Sequence, residues 1–374
     1  MNANIEITNI NKHFLLNNKQ NQYKQNQYKQ DHYKTKIVHH GFYTINEANI
    51  SDKIKKIRYY SNHYAVVEDY DFIQISQLNE KTIEKLNLSD EKKYILFKYR
   101  NDRFVTFRDF LHDICNPKLF VLHTIESFSY LLHSLEQLHD NNICFFNLSP
   151  QNIVFNLDCG KKPILTNFNG SLQISKLNES YISKIINNAT NATNTTNTNN
   201  TNNTIHDYTH KPLEVHILFY LIKNDMLTLS YSFIEEVCEV FANKLSVLNI
   251  FSDKYRESYK AECAETLKKY INKPRADIIS DILEQHDTWD VYSISLLYLH
   301  IFGNLVRVFS LKQPFISKIV KDLAKNLHPD PRRRVRISTL LANFETELCS
   351  VKDWSFVNNL PHNKMPEFME ILGK

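Results

Sequence analysis

The stretch Cys144-Phe145-Phe146-Asn147-Leu148-Ser149-Pro150-Gln151-Asn152-Ile153-Val154-Phe155 decides how this chain is read. Its middle is polar and proline-containing, as a loop is, and it ends in a β-branched and aromatic run of strand character. Upstream, Val121, Ile125, Phe128, Leu132, Leu135 and Leu138 recur at steps of four, three, four, three and three, which predicts an amphipathic helix over 119–140. Downstream, Ile153-Val154-Phe155 and Ile164-Leu165 flank the Asp158-Cys159-Gly160 turn and read as a small hairpin. A second polar segment, Asn167-Phe168-Asn169-Gly170, follows at once.

Working outward, residues 94–99 are a short apolar strand, and Phe107, Phe110, Leu111 and Ile114 fall at helical spacing. Nearer the N-terminus, 36–43 reads as a strand, 50–60 as a helix and 64–78 as a strand pair around Glu68-Asp69-Tyr70-Asp71. Residues 1–35 carry the tandem repeat QNQYK, QNQYK, QDHYK from Gln20 and too little aliphatic content to fold, so a disordered tail is expected. The tract 187–204 holds only Asn, Thr and Ala and reads as a loop insertion. From Glu214 onward the pattern is almost wholly helical.

Composition sets the outer limits. The chain has 374 residues, 42% hydrophobic and 12% aromatic, enough for a substantial core. Its net charge of +4, from 45 basic and 41 acidic residues, gives no reason to expect a nucleic-acid or membrane surface. Six dispersed cysteines without a C-x-x-C pair suggest neither a zinc site nor a disulfide framework, so no metal is expected and an intracellular, cytoplasmic setting is. There is no secretory pattern at the N-terminus. The apolar run 294–309 contains His300 and Arg307, which argues against a membrane span. His39-His40 and the other histidines show no paired metal spacing.

In its order of elements, residues 144–155 resemble a protein-kinase catalytic loop, H-R-D-L-x-x-x-N. Phe145, Phe146 and Asn147 stand at the three leading positions, Leu148 and Pro150 match, and Asn152 is retained. Asn167-Phe168-Asn169 lies where the D-F-G segment falls. Lys211-Pro212-Leu213-Glu214 resembles A-P-E, and Trp289-Asp290-Val291-Tyr292-Ser293 resembles the start of the buried helix of the large lobe. His328-Pro329-Asp330-Pro331-Arg332-Arg333-Arg334 resembles the closing D-P-x-x-R. The resemblance is best to kinase-like proteins of large DNA viruses. It implies an α+β, two-lobe fold: a reduced N-terminal lobe over 36–99, a mostly helical C-terminal lobe over 100–350, and a C-terminal tail, 351–374. It also implies that Glu214 and Arg334 pair and that Asp290 holds the catalytic-loop backbone. A surface aspartate opening a helix is the rival reading for Asp290.

Two distances depart from the family. Glu214 and Asp290 are 76 positions apart (290 − 214), where kinases have about one short helix, so a helical insertion over 215–288 is expected. Within it Phe233, Val237, Phe241 and Leu245 are spaced by four, a face for the large lobe or for a partner. Only 44 positions (334 − 290) separate Asp290 from Arg334, so the helices after the buried one are trimmed.

The substitutions decide the expected function. A general base must accept a proton near neutral pH, which the Asn147 amide cannot. Magnesium favours charged oxygen ligands, so Asn167 is a poor substitute for the metal carboxylate. The rival reading for both is that they are turn asparagines. The only glycine before Tyr99 is Gly41, so no glycine-rich cover exists there, and Lys34 or Lys36 with Glu47 are lysine and helix partner by position alone. Phe145 and Phe146 read as core plugs, and Asn152, a candidate cofactor ligand, as a loop hydrogen-bonder. The expectation is a pseudokinase: a catalytically inactive interaction or scaffold module with a protein partner and no cofactor. The alternatives are an unorthodox Ser/Thr kinase using ATP and magnesium, with Asp158 or Glu179 standing in as the acid, and a structural, virion-associated protein that keeps only the fold.

Overall fold

The computed structural model describes residues 33–86, 88–89, 91–158, 160–193 and 210–373. Of the tail expected at 1–35, residues 1–32 lie outside the described residues, as does the part of the Asn/Thr tract at 194–204, while 33–35 are strand and not tail. The chain begins with β1 (Tyr33–His39), α1 (Phe42–Ile54), β2 (Tyr64–Ala65), β3 (Asp69–Ile73), α2 (Glu80–Leu86), β4 (Tyr94–Arg100) and β5 (Phe104–Thr106). Next come α3 (Phe107–His112), α4 (Pro117–Asp140), β6 (Ile143–Cys144), β7 (Ile153–Asn156), β8 (Lys162–Thr166) and β9 (Leu172–Gln173). Eight helices follow: α5 (Glu179–Thr193), α6 (Leu213–Lys223), α7 (Tyr231–Lys244), α8 (Asp253–Lys268), α9 (Arg275–Leu283), α10 (Trp289–Phe309), α11 (Pro314–Lys325) and α12 (Ile337–Ser350), with α13 (Met365–Leu372) last. The chain is therefore mixed, its named strands all preceding α5. Its residues cluster into two compact units, 33–105 with 154–171, and 106–153 with 172–373.

In the first unit β1, β4 and β3 form an antiparallel sheet in that order, with Lys36 opposite Phe97 and Phe97 opposite Tyr70. Ala48 of α1 packs with Val67, Ile95 and Phe97, and Val38, Ile45, Tyr70 and Tyr99 close around them. A second sheet runs β2-β8-β7-β5, with β2 parallel to β8. Three local expectations are corrected here. The first strand ends at His39, because the Thr44 hydroxyl accepts the Gly41 N–H at 2.9 Å and starts the helix at Phe42. That helix ends at Ile54 instead of occupying 50–60. The segment 64–78 is no strand pair: β2 joins β8 and β3 joins β4, since distant strands offer ladders that a local turn does not.

The second unit is built on α4 and α10. Asn116 caps α4, its side chain accepting the Leu119 N–H at 3.2 Å, and Pro117 occupies the first turn, where its missing N–H is harmless. Phe128 of α4 meets Tyr298 and Phe302 of α10, at 4.7 and 6.1 Å between ring centroids, and Phe344 of α12 at 4.9 Å. Among the described residues α10 is the one helix long and apolar enough to cross a membrane, contrary to expectation. Its apolarity serves the core instead, since 83% of that stretch is buried within the protein. The segment 215–288, expected as an insertion, is integral too: α7 buries Ile234, Val237, Cys238 and Phe241, and a Cβ at Gly303 of α10 would overlap the Ile250 side chain.

Three boundaries differ from the sequence reading. The first unit runs to residue 105 and takes back 154–171. Helix α5 continues to Thr193, so 187–193 is helical where a loop was expected. Residues 351–374 are no mere tail, because Phe368 is fully buried against Phe120 and Phe309, at 5.0 and 5.5 Å.

Candidate functional site: a clamped loop and its partners

Strand β6 pairs with β9 and delivers the chain into Phe145-Phe146-Asn147. Phe146 has φ +57°, a left-handed backbone that costs an aromatic residue about 1 kcal/mol or more and needs external support. Asp290 supplies it. Its Oδ2 accepts the Phe145 N–H at 2.8 Å and its Oδ1 the Phe146 N–H at 2.7 Å, and His139 Nε2 lies 3.0 Å from Oδ2. Desolvation by complete burial would raise the pKa of this carboxyl, yet His139 and the two backbone donors hold it below its ordinary value. Asp290 is thus no surface helix-start residue.

Both phenylalanines are buried. The Phe146 ring sits 5.2 Å from that of Trp289 and 6.5 Å from that of Phe219, and the Lys211 ammonium lies 3.7 Å from its centroid. Desolvation pushes the Lys211 pKa down to about 8, against the opposing pull of Asp290 and Cys144. Asn152 closes the loop from within, its amide nitrogen donating to the Asn147 carbonyl at 2.7 Å and to Ser149 Oγ at 3.3 Å.

Glu214 and Arg334 meet in the same unit. The guanidinium grips the carboxylate twice, at 2.6 and 3.0 Å, with both side chains buried. Its Nε also donates to the His328 carbonyl at 2.8 Å, and its plane lies 4.9 Å from the Tyr292 ring. Close by, Tyr259 of α8 donates to the Leu327 carbonyl at 2.8 Å and is itself buried. Arg332, by contrast, pairs with Asp330 at the surface.

Asn167 belongs to the first unit, whereas Asn147, Asn152, Glu214, Asp290 and Arg334 belong to the second. Asn167 has φ +64°, a conformation asparagine tolerates, and opens a 3-10 turn over Phe168–Gly170. Phe168 is fully buried, edge-on to Tyr64 at 6.0 Å. The turn is tied to α1 by Asn46, whose amide nitrogen donates to the carbonyls of Asn169 and Ser171, each at 2.8 Å. The next residue, Glu47, is pushed up to about 7 by desolvation, against the charge of Lys36 and a 3.4 Å hydrogen bond from the Tyr99 hydroxyl. Lys34 instead donates to the Asp102 carbonyl at 3.1 Å.

The substitute acids fare poorly. Asp158 accepts the Arg103 backbone N–H and pairs with its guanidinium at 2.6 Å, which holds its carboxyl below the usual range. Glu179 pairs with Arg275 at 2.9 Å. His139, Cys144 and Asp290 have donor atoms within 4.8 Å of one another, close enough to suggest a metal. Their chemistry does not suit one: both Asp290 oxygens already hold N–H donors, and burial pushes the Cys144 thiol up, away from the thiolate a metal needs.

Sequence reasoning missed His139 and Asn46, and it quoted Lys211 within the A-P-E-like motif without its contact to Phe146. A histidine ending a predicted helix was a usable signal for His139. Nothing local distinguishes Asn46 or Lys211 from a solvated polar residue.

No protein-family model matches the chain, and no curated protein does. Among solved structures it is similar to the twitchin kinase region from C. elegans (Fn31-NL-kin-CRD-Ig26), with 12% identity and a TM-score of 0.44 over 91% of this chain. The chain spans 45% of the length of that structure, less than half.

Proposed function

We propose that this chain is a protein-kinase-like module that transfers no phosphate and acts by binding a protein partner. The observation that carries the reading is the Asp290 clamp. It holds Phe145 and Phe146 at 2.8 and 2.7 Å in a strained backbone, so the following residue is presented from a fixed loop, and that residue is an amide, Asn147. A preorganised loop with no group able to take a proton supports recognition rather than general-base chemistry. The buried Glu214–Arg334 pair is in keeping with a kinase-like large lobe, and the amide of Asn152 is engaged in the loop. These residues are a poor match to magnesium, which favours carboxylate oxygens.

The alternative is a kinase of unorthodox design that uses ATP and magnesium, with Lys36 on β1 and Glu47 on α1 as its lysine and helix glutamate. Two measurements separate the readings: radiolabel transfer from ATP by the full chain, and a thermal-shift titration with ATP and magnesium. The expected results are no transfer and a weak or absent shift, in the wild type and in Asn147→Asp with Asn167→Asp, because residues acting as a unit are not restored one at a time. Transfer above background that disappears in Asn152→Ala would overturn the proposal.

A further inference from the structure

The chain turns sharply between His328 and Arg334, and Pro329 and Pro331 within that turn have no N–H to give it. Several bonds close it. The Arg333 N–H reaches the Asp330 carbonyl and the Arg334 N–H the Pro331 carbonyl, each at 3.1 Å, and the Val335 N–H reaches Asn326 Oδ1 at 3.3 Å. Arg334 adds two from its side chain, Nε to the His328 carbonyl at 2.8 Å and Nη2 to the Pro329 carbonyl at 3.2 Å, so the turn orients the guanidinium that grips Glu214. None of these bonds involves a group that changes charge near neutral pH. One further bond does, because the Asp330 N–H donates to His328 Nδ1 at 3.0 Å.

Charged groups surround that imidazole. Its Nε2 lies 3.0 Å from Arg333 Nη1 and 3.4 Å from Glu262 Oε2 of α8, while Asp330 and Arg334 act on it from the turn itself. Tyr259, nearly one helical turn before Glu262, has its hydroxyl committed to the Leu327 carbonyl. A neutral imidazole offers one lone pair and one N–H. The Asp330 N–H is fixed in the backbone and the exposed Arg333 guanidinium is not, so Nδ1 is the acceptor and the proton sits on Nε2, facing Glu262. A second proton goes on Nδ1, where it meets the Asp330 N–H, and the bond between them is lost. Burial holds the His328 pKa below its ordinary value, with Arg333 and Arg334 acting in the same sense and Glu262 and Asp330 in the opposite one.

We propose that His328 is an acid-sensitive latch on the 328–334 turn: the neutral ring holds the Asp330 N–H, and protonation releases it and loosens the two carbonyls that orient Arg334. The sign follows from linkage. The unfolded chain takes up this proton near the usual 6.5 and the folded chain only at lower pH, so the latch contributes fully above about 6.5 and is lost as pH falls from there through the folded value. The Asp330 carboxyl is still charged at that onset, because hydrogen bonds from Arg332 outweigh its burial and hold it below the usual carboxylate range. The latch does not depend on whether the chain transfers phosphate.

Hydrogen exchange of the full-length protein at pH 7.5, 6.5 and 5.5, read by mass spectrometry and corrected for the intrinsic pH dependence of amide exchange, tests it. In the wild type, peptides covering 326–335 should lose about threefold to tenfold in protection between pH 7.5 and 5.5, while peptides from α4 and α10 stay within about twofold. In His328→Asn the side-chain oxygen still accepts the Asp330 N–H but takes up no proton. Its protection at pH 7.5 should match the wild type within about twofold, and the acid loss should vanish. Glu262→Gln removes a charge that favours the proton, so its acid loss should begin at lower pH than in the wild type. Wild-type protection in 326–335 that does not change with pH would overturn the proposal. So would an acid loss as large in His328→Asn as in the wild type, or one as large in α4 and α10, the mark of general loosening. If His328→Asn does not fold, Glu262→Gln decides, and an onset at the same or a higher pH refutes the latch.

Discussion

Lys211→Met should make the protein more stable. The lysine is buried, its ammonium rests on the Phe146 ring at 3.7 Å, and its pKa falls from the usual 10.5 to about 8. That displacement corresponds to roughly 3 kcal/mol by which the charged form is disfavoured in the folded chain. The cation–π contact opposes it by about 0.5–2 kcal/mol, so replacing the ammonium with a thioether of similar length should gain about 1–2 kcal/mol at pH 7. Asp290 would lose a neighbouring positive charge but keep the Phe145 and Phe146 N–H groups and His139. The sign with pH follows from linkage. Below about pH 8 the lysine is charged in both folded and unfolded chains, and the burial penalty is fully present. Between about 8 and 10.5 the folded chain binds fewer protons than the unfolded one, so wild-type stability rises relative to the variant, and above 10.5 the gap closes. Urea denaturation of both proteins from pH 6.5 to 10.5 measures this, and taking the difference cancels the titration of groups that do not sense Lys211, which excludes Cys144 and His210. A variant less stable by 1 kcal/mol or more at pH 7, or a difference that does not change with pH, would refute the reasoning.

Removing one side of the buried Glu214–Arg334 pair leaves the other charge uncompensated, so Glu214→Ala should cost about 3–5 kcal/mol or prevent folding, whereas Arg332→Ala at the exposed Asp330 pair should cost under about 1 kcal/mol; similar denaturation midpoints for the two would contradict the difference in burial. Deleting 194–204, which holds only Asn and Thr, should shift stability by less than about 1 kcal/mol, because loop length enters only logarithmically; calorimetry checks it, and a deletion reaching back to residue 187 should cost more, since 187–193 is helical.

The amino-acid sequence by itself determined the elements whose signal is local or strongly periodic. The apolar stripe of α4 and the run from Trp289 admit one structure each, because a helix must bury such a face. The strand of residues 94–99 and the neighbouring strands β7 and β8 were legible from short apolar runs, and motif order singled out Asp290, Glu214 and Arg334. Tertiary structure decided the rest. Segment 64–78 joined two different sheets because β8 and β4 offered better ladders than its own turn. Length and mean apolarity of α10 would serve a bilayer as well as a core, and only its neighbours show which. Lys34 was set apart from Lys36 by its hydrogen bond to the Asp102 carbonyl, a matter of strand placement. Asn46 and Lys211 were invisible to pattern because their roles come from what surrounds them: two carbonyls from a turn more than a hundred residues away, and the face of a buried aromatic ring. A polar residue looks solvated in sequence until the fold removes its water.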